Sequence, residues 1–332
     1  MEFNIEPEES DIILDIKVPE KKTKEVSESL QRTKEWHAQR NGNWNGSQRK
    51  QLMSCSNKGG RLSWHNKEKV FMFSEGAIKT IYAKAMERRK GRGIIGSSTK
   101  QMSYGTAVEV LMAEIARKKY IEIDPTLVLE QVGYRASEET ENAGASSDGL
   151  FTRNGVPYAS VEQKACCSWE SHYDRTFEPT DEKSIDFWQS QAQMEAWNVE
   201  RTIYVVAEPP EDINVYLKAG DILEYQEHFE EECKVTFEEI MRSPIHQAAM
   251  SIRIKIAEEV IKRWNSSGGR LKDIFYEVVD EFKTKENEEP VQVEKTDIFE
   301  EFLPSKENEI IEALVEIAKN PEPEIDYEDL PF

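Results

Sequence analysis

The clearest periodic segment runs from 105 to 120, where Val108, Leu111, Met112, Ile115 and Ala116 recur at three- and four-residue spacing. That spacing places them on one face of a helix. Helices are also predicted over 75–89 and 184–197, and a short one begins near Trp36 before an Asn/Gly-rich turn. Runs rich in β-branched and aromatic residues predict strands at 127–135, 157–164, 202–207 and 213–218, the first two separated by a Gly/Ser/Asn loop. From 221 to 283 the pattern predicts helices, broken at Pro244 and at Gly268-Gly269. Ile12-Ile13-Leu14 is either a docked strand or part of a disordered segment. One amphipathic helix is predicted at 306–319, with Ile310, Leu314 and Ile317 on one face.

Helices around a short central sheet predict an α/β fold, broadly α+β in arrangement. There is no internal repeat. Shifts in composition divide the chain into an acidic segment over 1–30, a core over 31–220, a helical extension over 221–283 and an acidic tail over 284–332. The core includes a basic, irregular stretch at about 57–104, punctuated by Gly59-Gly60 and Gly91-Arg92-Gly93.

Composition excludes several classes. Hydrophobic residues make up 38%, with no apolar run long enough to span a bilayer and no apolar leader at the start. Four cysteines in 332 residues do not make a disulfide framework, so free thiols in a reducing cytoplasm are expected. The net charge of −21 argues against nucleic acid until its distribution is considered. Residues 31–105 hold 16 Lys/Arg against 4 Asp/Glu, whereas residues 286–332 hold 3 Lys against 16 Asp/Glu. A basic segment can meet phosphates whatever the chain average.

The candidate chemistry sits at Asp148, in a Ser-Ser-Asp-Gly-Leu turn, and at Glu162-Gln163-Lys164, at the end of a predicted strand. Strand alternation puts Glu162 and Lys164 on one face and turns Gln163 away. A hairpin from 148 to 162 brings Asp148 beside them. Two carboxylates suit a hard, oxygen-loving cation such as magnesium. A lone Glu-x-Lys on a strand is more often a surface ion pair; the Asp-Gly-Leu turn upstream shifts the balance.

Further blocks add a resemblance. Trp36-His37-x-x-Arg40-x-Gly42 is followed by Gly46-Ser47, Gly105-x-x-x-Glu109, Ser147-Asp148-Gly149-Leu150, Glu162-x-Lys164, and Ser190-Gln191-Ala192-Gln193 with Trp197. In this order they resemble the lambda-exonuclease or YqaJ-like branch of the PD-(D/E)xK nucleases. The resemblance implies a restriction-endonuclease-like core with a central mixed sheet. It implies Mg2+, with Mn2+ as a substitute, held by Asp148, Glu162 and the backbone carbonyl of Gln163, with Glu109 reaching the same site. Lys164 would hold the attacking water. Gln191 would orient Lys164 or that water, and Gln193 shares its polar face. Arg40 and Ser47 would contact a terminal 5′-phosphate, although Arg40 could instead pair with Glu35 and Ser47 could cap a helix. Arg88, Arg89, Lys90 and Arg92 would touch backbone phosphates or form a solvated basic loop.

The sequence departs from the family after the lysine. Ala165-Cys166-Cys167 replaces Cys-Pro, Ser168-Trp169-Glu170 stands where an arginine is usual, and the nearest arginine is Arg175. This weakens strict dependence on a 5′ end. No Cys-x-x-Cys supports an iron–sulfur cluster, and scattered histidines support no zinc site. The ending Asp329-Leu330-Pro331-Phe332 resembles the acidic tip of bacterial single-stranded-DNA-binding proteins. It implies a partner that reads such tips, a single-strand annealing protein, or a fold-back onto the basic segment.

The expected function is therefore a Mg2+-dependent exonuclease on duplex DNA ends, 5′→3′, leaving 3′ single strands for phage-type recombination or replication. It would work in the cytoplasm (the host's, if phage-encoded), as a homo-oligomer such as a trimer. The alternatives are an endonuclease on the same fold and a non-catalytic DNA-binding adaptor.

Overall fold

The computed structural model describes residues 31–91, 99–177 and 181–288. Its elements are α1 (Lys34–Arg40), β1 (Trp44–Asn45), α2 (Arg49–Met53), α3 (Lys67–Val70), α4 (Glu75–Lys90), α5 (Lys100–Ile123), β2 (Leu127–Glu130), β3 (Tyr134–Ala136), β4 (Ala143–Ser146), β5 (Gly149–Arg153), β6 (Val156–Ala165), α6 (Trp169–Thr176), α7 (Ile185–Trp197), β7 (Arg201–Ala207), α8 (Asn214–Leu217), α9 (Gln226–Glu232), β8 (Val235–Met241), α10 (Pro244–Ser267) and α11 (Leu271–Glu288). The chain divides into two compact units, residues 1–280 and 281–332. Ile12–Leu14, Arg92, the helix expected at 306–319 and the tip Asp329–Phe332 lie outside the described residues.

A mixed five-stranded sheet in the order β2-β5-β6-β7-β8 forms the centre. β6 and β7 are parallel, and the remaining neighbours are antiparallel. Parallel neighbours need a crossover, which the α6–α7 segment supplies. On one face, Phe151, Ala159, Val161, Ile203 and Val205 pack against the apolar stripe of α5: Tyr104, Val108, Leu111, Met112 and Ala116. On the other, Leu150, Tyr204, Val206 and Ile240 meet Trp188, Ala192 and Met194 of α7 and Met250 of α10. Strand alternation therefore sends Val161 toward α5 and Glu162 and Lys164 toward α7. A smaller sheet, β1-β4-β3, lies beside it.

Three expectations need correction. The strand expected at 213–218 is the helix α8. Asp212 accepts the Asn214 amide at 2.9 Å and starts a turn, and Tyr216 packs against Tyr104 and Phe229. The all-helical reading of 221–283 misses β8, whose pairing with β7 runs from Arg201↔Met241 to Ala207↔Val235. The strand expected at 127–135 is two, β2 and β3, in different sheets, and the following loop contains β4. β4 is made of Ala-Gly-Ala-Ser, which carries little strand signal. Its small residues answer to space: a Cβ on Gly144 would lie 2.4 Å from the Arg135 carbonyl oxygen.

Candidate active site

Ser147 fixes the turn that carries Asp148. Its hydroxyl donates to the Gly149 and Val161 carbonyls, while Asp148 N donates to Val161 O at 3.0 Å. β5 pairs with β6 only as far as Gly149↔Val161. Beyond that point the edge of β6 is open, and the Gln163 amide donates 2.9 Å to Asp148 Oδ2. The N–H and C=O of one strand residue leave on the same edge, so the Gln163 carbonyl also faces the Asp148 side.

Glu162 is buried. Its Oε1 accepts from Lys164 Nζ and from Gln189 Nε2 at 2.8 Å, and its Oε2 accepts from Gln193 Nε2. Gln193 also donates to the Ser146 carbonyl at 3.0 Å. Gln189 and Gln193 are four residues apart on α7, hence on one face. Gln191 is not part of the site: it donates to Met241 O at 2.8 Å and accepts from Ser243 N at 3.0 Å. The role expected of Gln191 thus has its candidates in Gln189 and Gln193.

Lys164 reaches a second carboxylate, Asp186 Oδ1, at 3.3 Å. The other oxygen of Asp186 accepts from Arg175 and from the Tyr204 hydroxyl at 2.7 Å. Neither Asp186 nor Arg175 was expected here, because their pairing is tertiary and leaves no local pattern.

The charges follow from this geometry. Burial pushes Asp148 above the usual carboxylate range, and the neighbouring Glu109 adds to the rise. Burial raises Glu162 to about 7, with Lys164 opposing and Asp148 adding to the shift. Burial would lower Lys164, but Glu162, Asp186 and Asp148 outweigh it and hold the ammonium above its usual value. Asp186 is held below its usual range, because Lys164 and Arg175 outweigh the effect of burial.

Arg40 lies over the Trp36 ring at 4.0 Å and 3.4 Å from Ser146 Oγ, which also accepts from Trp36 Nε1 at 2.9 Å. Its guanidinium feels both Asp148 and Glu162. Gly42, at φ +79°, makes the turn that follows. Ser47 is exposed in a single 3-10 turn whose cap position is Asn45, so the capping alternative does not hold for it. Gly46, beside it, sits close to the Gln189 side chain. Glu109 forms an ion pair with Arg32, and Gln31 donates to the Ser147 carbonyl at 2.7 Å, so the segment before α1 lies along the site.

No family model matches the chain, and no curated protein matches it. Solved structures do. The chain is similar in structure to known exonucleases. An alkaline exonuclease (LHK-Exo) from Laribacter hongkongensis aligns with a TM-score of 0.48 at 18% identity, covering 71% of this chain and 98% of that one. The same enzyme in complex with dAMP aligns at 0.46 and 19%, with the same coverages. A phage-related exonuclease from Haemophilus somnus 129PT aligns at 0.45 and 14%, covering 68% and 96%.

The basic stretch divides into structural and available charges. Arg88 is committed: it donates to Gly42 O at 2.8 Å and grips Glu258 through both terminal nitrogens at 2.8 and 2.7 Å. Its expected phosphate contact is therefore withdrawn. Arg89 and Lys90 are exposed, Arg89 lying 5.3 Å over the Trp264 ring. Among the described residues no three His, Cys, Asp or Glu converge into a ready-made metal cage. Glu162 is a buried carboxylate and Asp148 a half-buried one, and the Gln163 carbonyl adds an oxygen. That all-oxygen set fits a magnesium-type cation, which keeps several waters of its own. No helix among the described residues is long and apolar enough to cross a membrane.

Proposed function

We propose that this chain is a divalent-metal-dependent exonuclease acting on duplex DNA ends, 5′→3′, and leaving 3′ single strands. The observation that carries the reading is the convergence of Asp148, Glu162 and Lys164 at the open edge of β6, with both carboxylates raised by burial. These carboxylates would hold Mg2+, or Mn2+ in its place, together with the Gln163 carbonyl. Bound there, the cation would polarise a phosphate oxygen and ease ionisation of water.

The remaining work falls to the chain's own groups. Gln189 and Gln193 hold both oxygens of Glu162, fixing its rotamer before substrate arrives. Lys164, whose ammonium Glu162, Asp186 and Asp148 hold above its usual value despite burial, stands as a hydrogen-bond donor. It donates hydrogen bonds, orienting the attacking water and offsetting charge on the phosphate. Asp186 fixes the other side of that ammonium. Arg40 offers planar donors suited to a phosphate. Water attacks phosphorus, the P–O bond to the leaving nucleoside oxygen breaks, and the proton given up by the water ends, through solvent, on that oxygen.

The test is degradation of linear 5′-phosphorylated duplex beside closed circular duplex, with Mg2+, by wild type and Lys164→Ala. Loss of the linear DNA alone, slowed at least about a hundredfold by Lys164→Ala, is expected. Cutting of the circle would make the protein an endonuclease. Binding without cleavage would overturn the catalytic reading.

A further inference from the structure

Helix α6 leaves the catalytic cluster with one side already employed. Arg175 points back to Asp186. The opposite side carries Trp169, Tyr173 and Phe177, the last being the residue that caps the helix. They recur every four residues, so they form one stripe. They are exposed to 64%, 57% and 64%, far more than a helix burying an apolar stripe would allow. The Tyr173 and Phe177 rings are stacked, with centroids 4.9 Å apart and planes only 22° from parallel. Together they make a two-ring stack in which each residue stays more than half exposed.

A cleft of about 580 Å3 runs along this helix. Its lining includes Tyr173, Phe177, Arg175 and Asp186, the last of which pairs with Lys164. Lys50 and Lys183, from other elements, also line it. Lys50 has no carboxylate partner among the described residues, and Lys183 keeps only a 3.5 Å contact with Asp181. The carboxylates Glu170 and Asp174 stand on the helix itself, next to the rings.

We propose that this outer face of α6 is a stacking platform for unpaired DNA bases, leading a frayed strand along the cleft to the catalytic cluster. The inference rests on the nuclease reading of that cluster. Every base presents a π-face, so aromatic stacking captures single strands without sequence preference. The distribution of charge favours this occupant. Glu170 and Asp174, on the helix beside the rings, repel phosphates, while Lys50 and the Asp181-paired Lys183 elsewhere in the lining attract them, which favours bases over phosphates at the rings. A protein partner would gain little from two rings already stacked on each other and flanked by carboxylates. The lining reaches Asp186, which pairs with Lys164, so a strand stacked on the rings lies next to the catalytic cluster.

The test is fluorescence anisotropy without divalent cation, so that nothing is cut. The probes are a blunt duplex, the same duplex with a short unpaired fork, and the forked duplex with abasic sites in the fork. Wild type is expected to prefer the forked duplex over the other two. The double variant Tyr173→Ala/Phe177→Ala is expected to lose about tenfold in affinity for the fork and little for the blunt or abasic probes. Tyr173→Phe should retain the preference, and circular dichroism reports whether each variant is folded. Equal affinity of wild type and double variant for the fork would overturn the proposal, as would an equal loss on all three probes. So would a change of oligomeric state on sedimentation, which would give the face to a second copy of the chain. The nuclease reading fails separately, by absence of cleavage in the linear-DNA assay, and this binding comparison does not depend on it.

Discussion

Burial raises Glu162 to about 7, although three donors face its oxygens. Its folded-state value lies above the usual carboxylate range, so the folded protein binds the proton more tightly than the unfolded chain. The associated stability is present in full below the unfolded value and is lost as pH rises through about 7. Metal binding has the opposite sense, since it needs the carboxylate. Without divalent cation, thermal stability is expected to fall between pH 5 and 8, while apparent Mg2+ affinity rises over the same range by up to about tenfold per unit. Glu162→Gln should flatten the stability change and abolish binding. A calorimetric affinity that does not vary with pH would show that Glu162 is already ionised. The residues in this argument were legible unequally. Asp148, Glu162 and Lys164 could be found because a hairpin and strand alternation bring them together locally. The choice between Gln191 and Gln193 could not be made, since residues two apart on a helix point about 200° from each other, and Gln189 was missed altogether. Which one meets Glu162 depends on how α7 lies on the sheet. Arg88 looked like a phosphate ligand because Glu258, its partner, is 170 residues away in sequence.

Among the elements, α10 ties together segments far apart in sequence. Its Arg253 is fully buried and donates to four backbone carbonyls, those of Val70, Leu52, Ser54 and Lys69, and to Cys55 Sγ. These carbonyls come from the C-terminal ends of α2 and α3 and the residue that follows α2. Burial lowers the Arg253 guanidinium to about 10, so it remains charged at neutral pH. Arg253→Ala would leave the carbonyls buried and unmet, and is expected to cost about 3–5 kcal/mol, read as a lower urea midpoint. A loss within error of zero would mean that water replaces the side chain without penalty. The long helices were visible in the sequence because their apolar stripes are complete within one element. β8 was not, because Val235–Met241 is an edge strand flanked by helices on both sides, and its pairing with β7 is the only thing that makes it a strand. α8 was misread for the converse reason: Val215, Tyr216 and Leu217 favour a strand by type, and the Asp212 turn overrides them.

At the scale of the molecule, a net charge of −21 coexists with a strongly basic stretch, and the charges free to meet DNA are fewer than the sequence count. Arg88, Lys84 and Arg49 are held by Glu258, Glu87 and Glu195. Arg89 and Lys90 remain exposed. Duplex affinity is expected to fall steeply with salt, and neutralising Arg89 and Lys90 together should reduce the slope of log affinity against log salt by about 2. Neutralising Arg88 should instead lower stability. An unchanged slope in the Arg89/Lys90 variant would place the DNA elsewhere. The Arg253 staple also has a consequence in time. The chain is made from its N-terminus, so Asp148, Glu162 and Lys164 leave the ribosome before residues 244–267 exist. Until α10 is made, the carbonyls around α2 and α3 lack their guanidinium, Gln191 lacks Gln247, and Arg88 lacks Glu258. Helix α10 thus joins segments made long before it, and a half-synthesised copy carries Asp148, Glu162 and Lys164 without that frame.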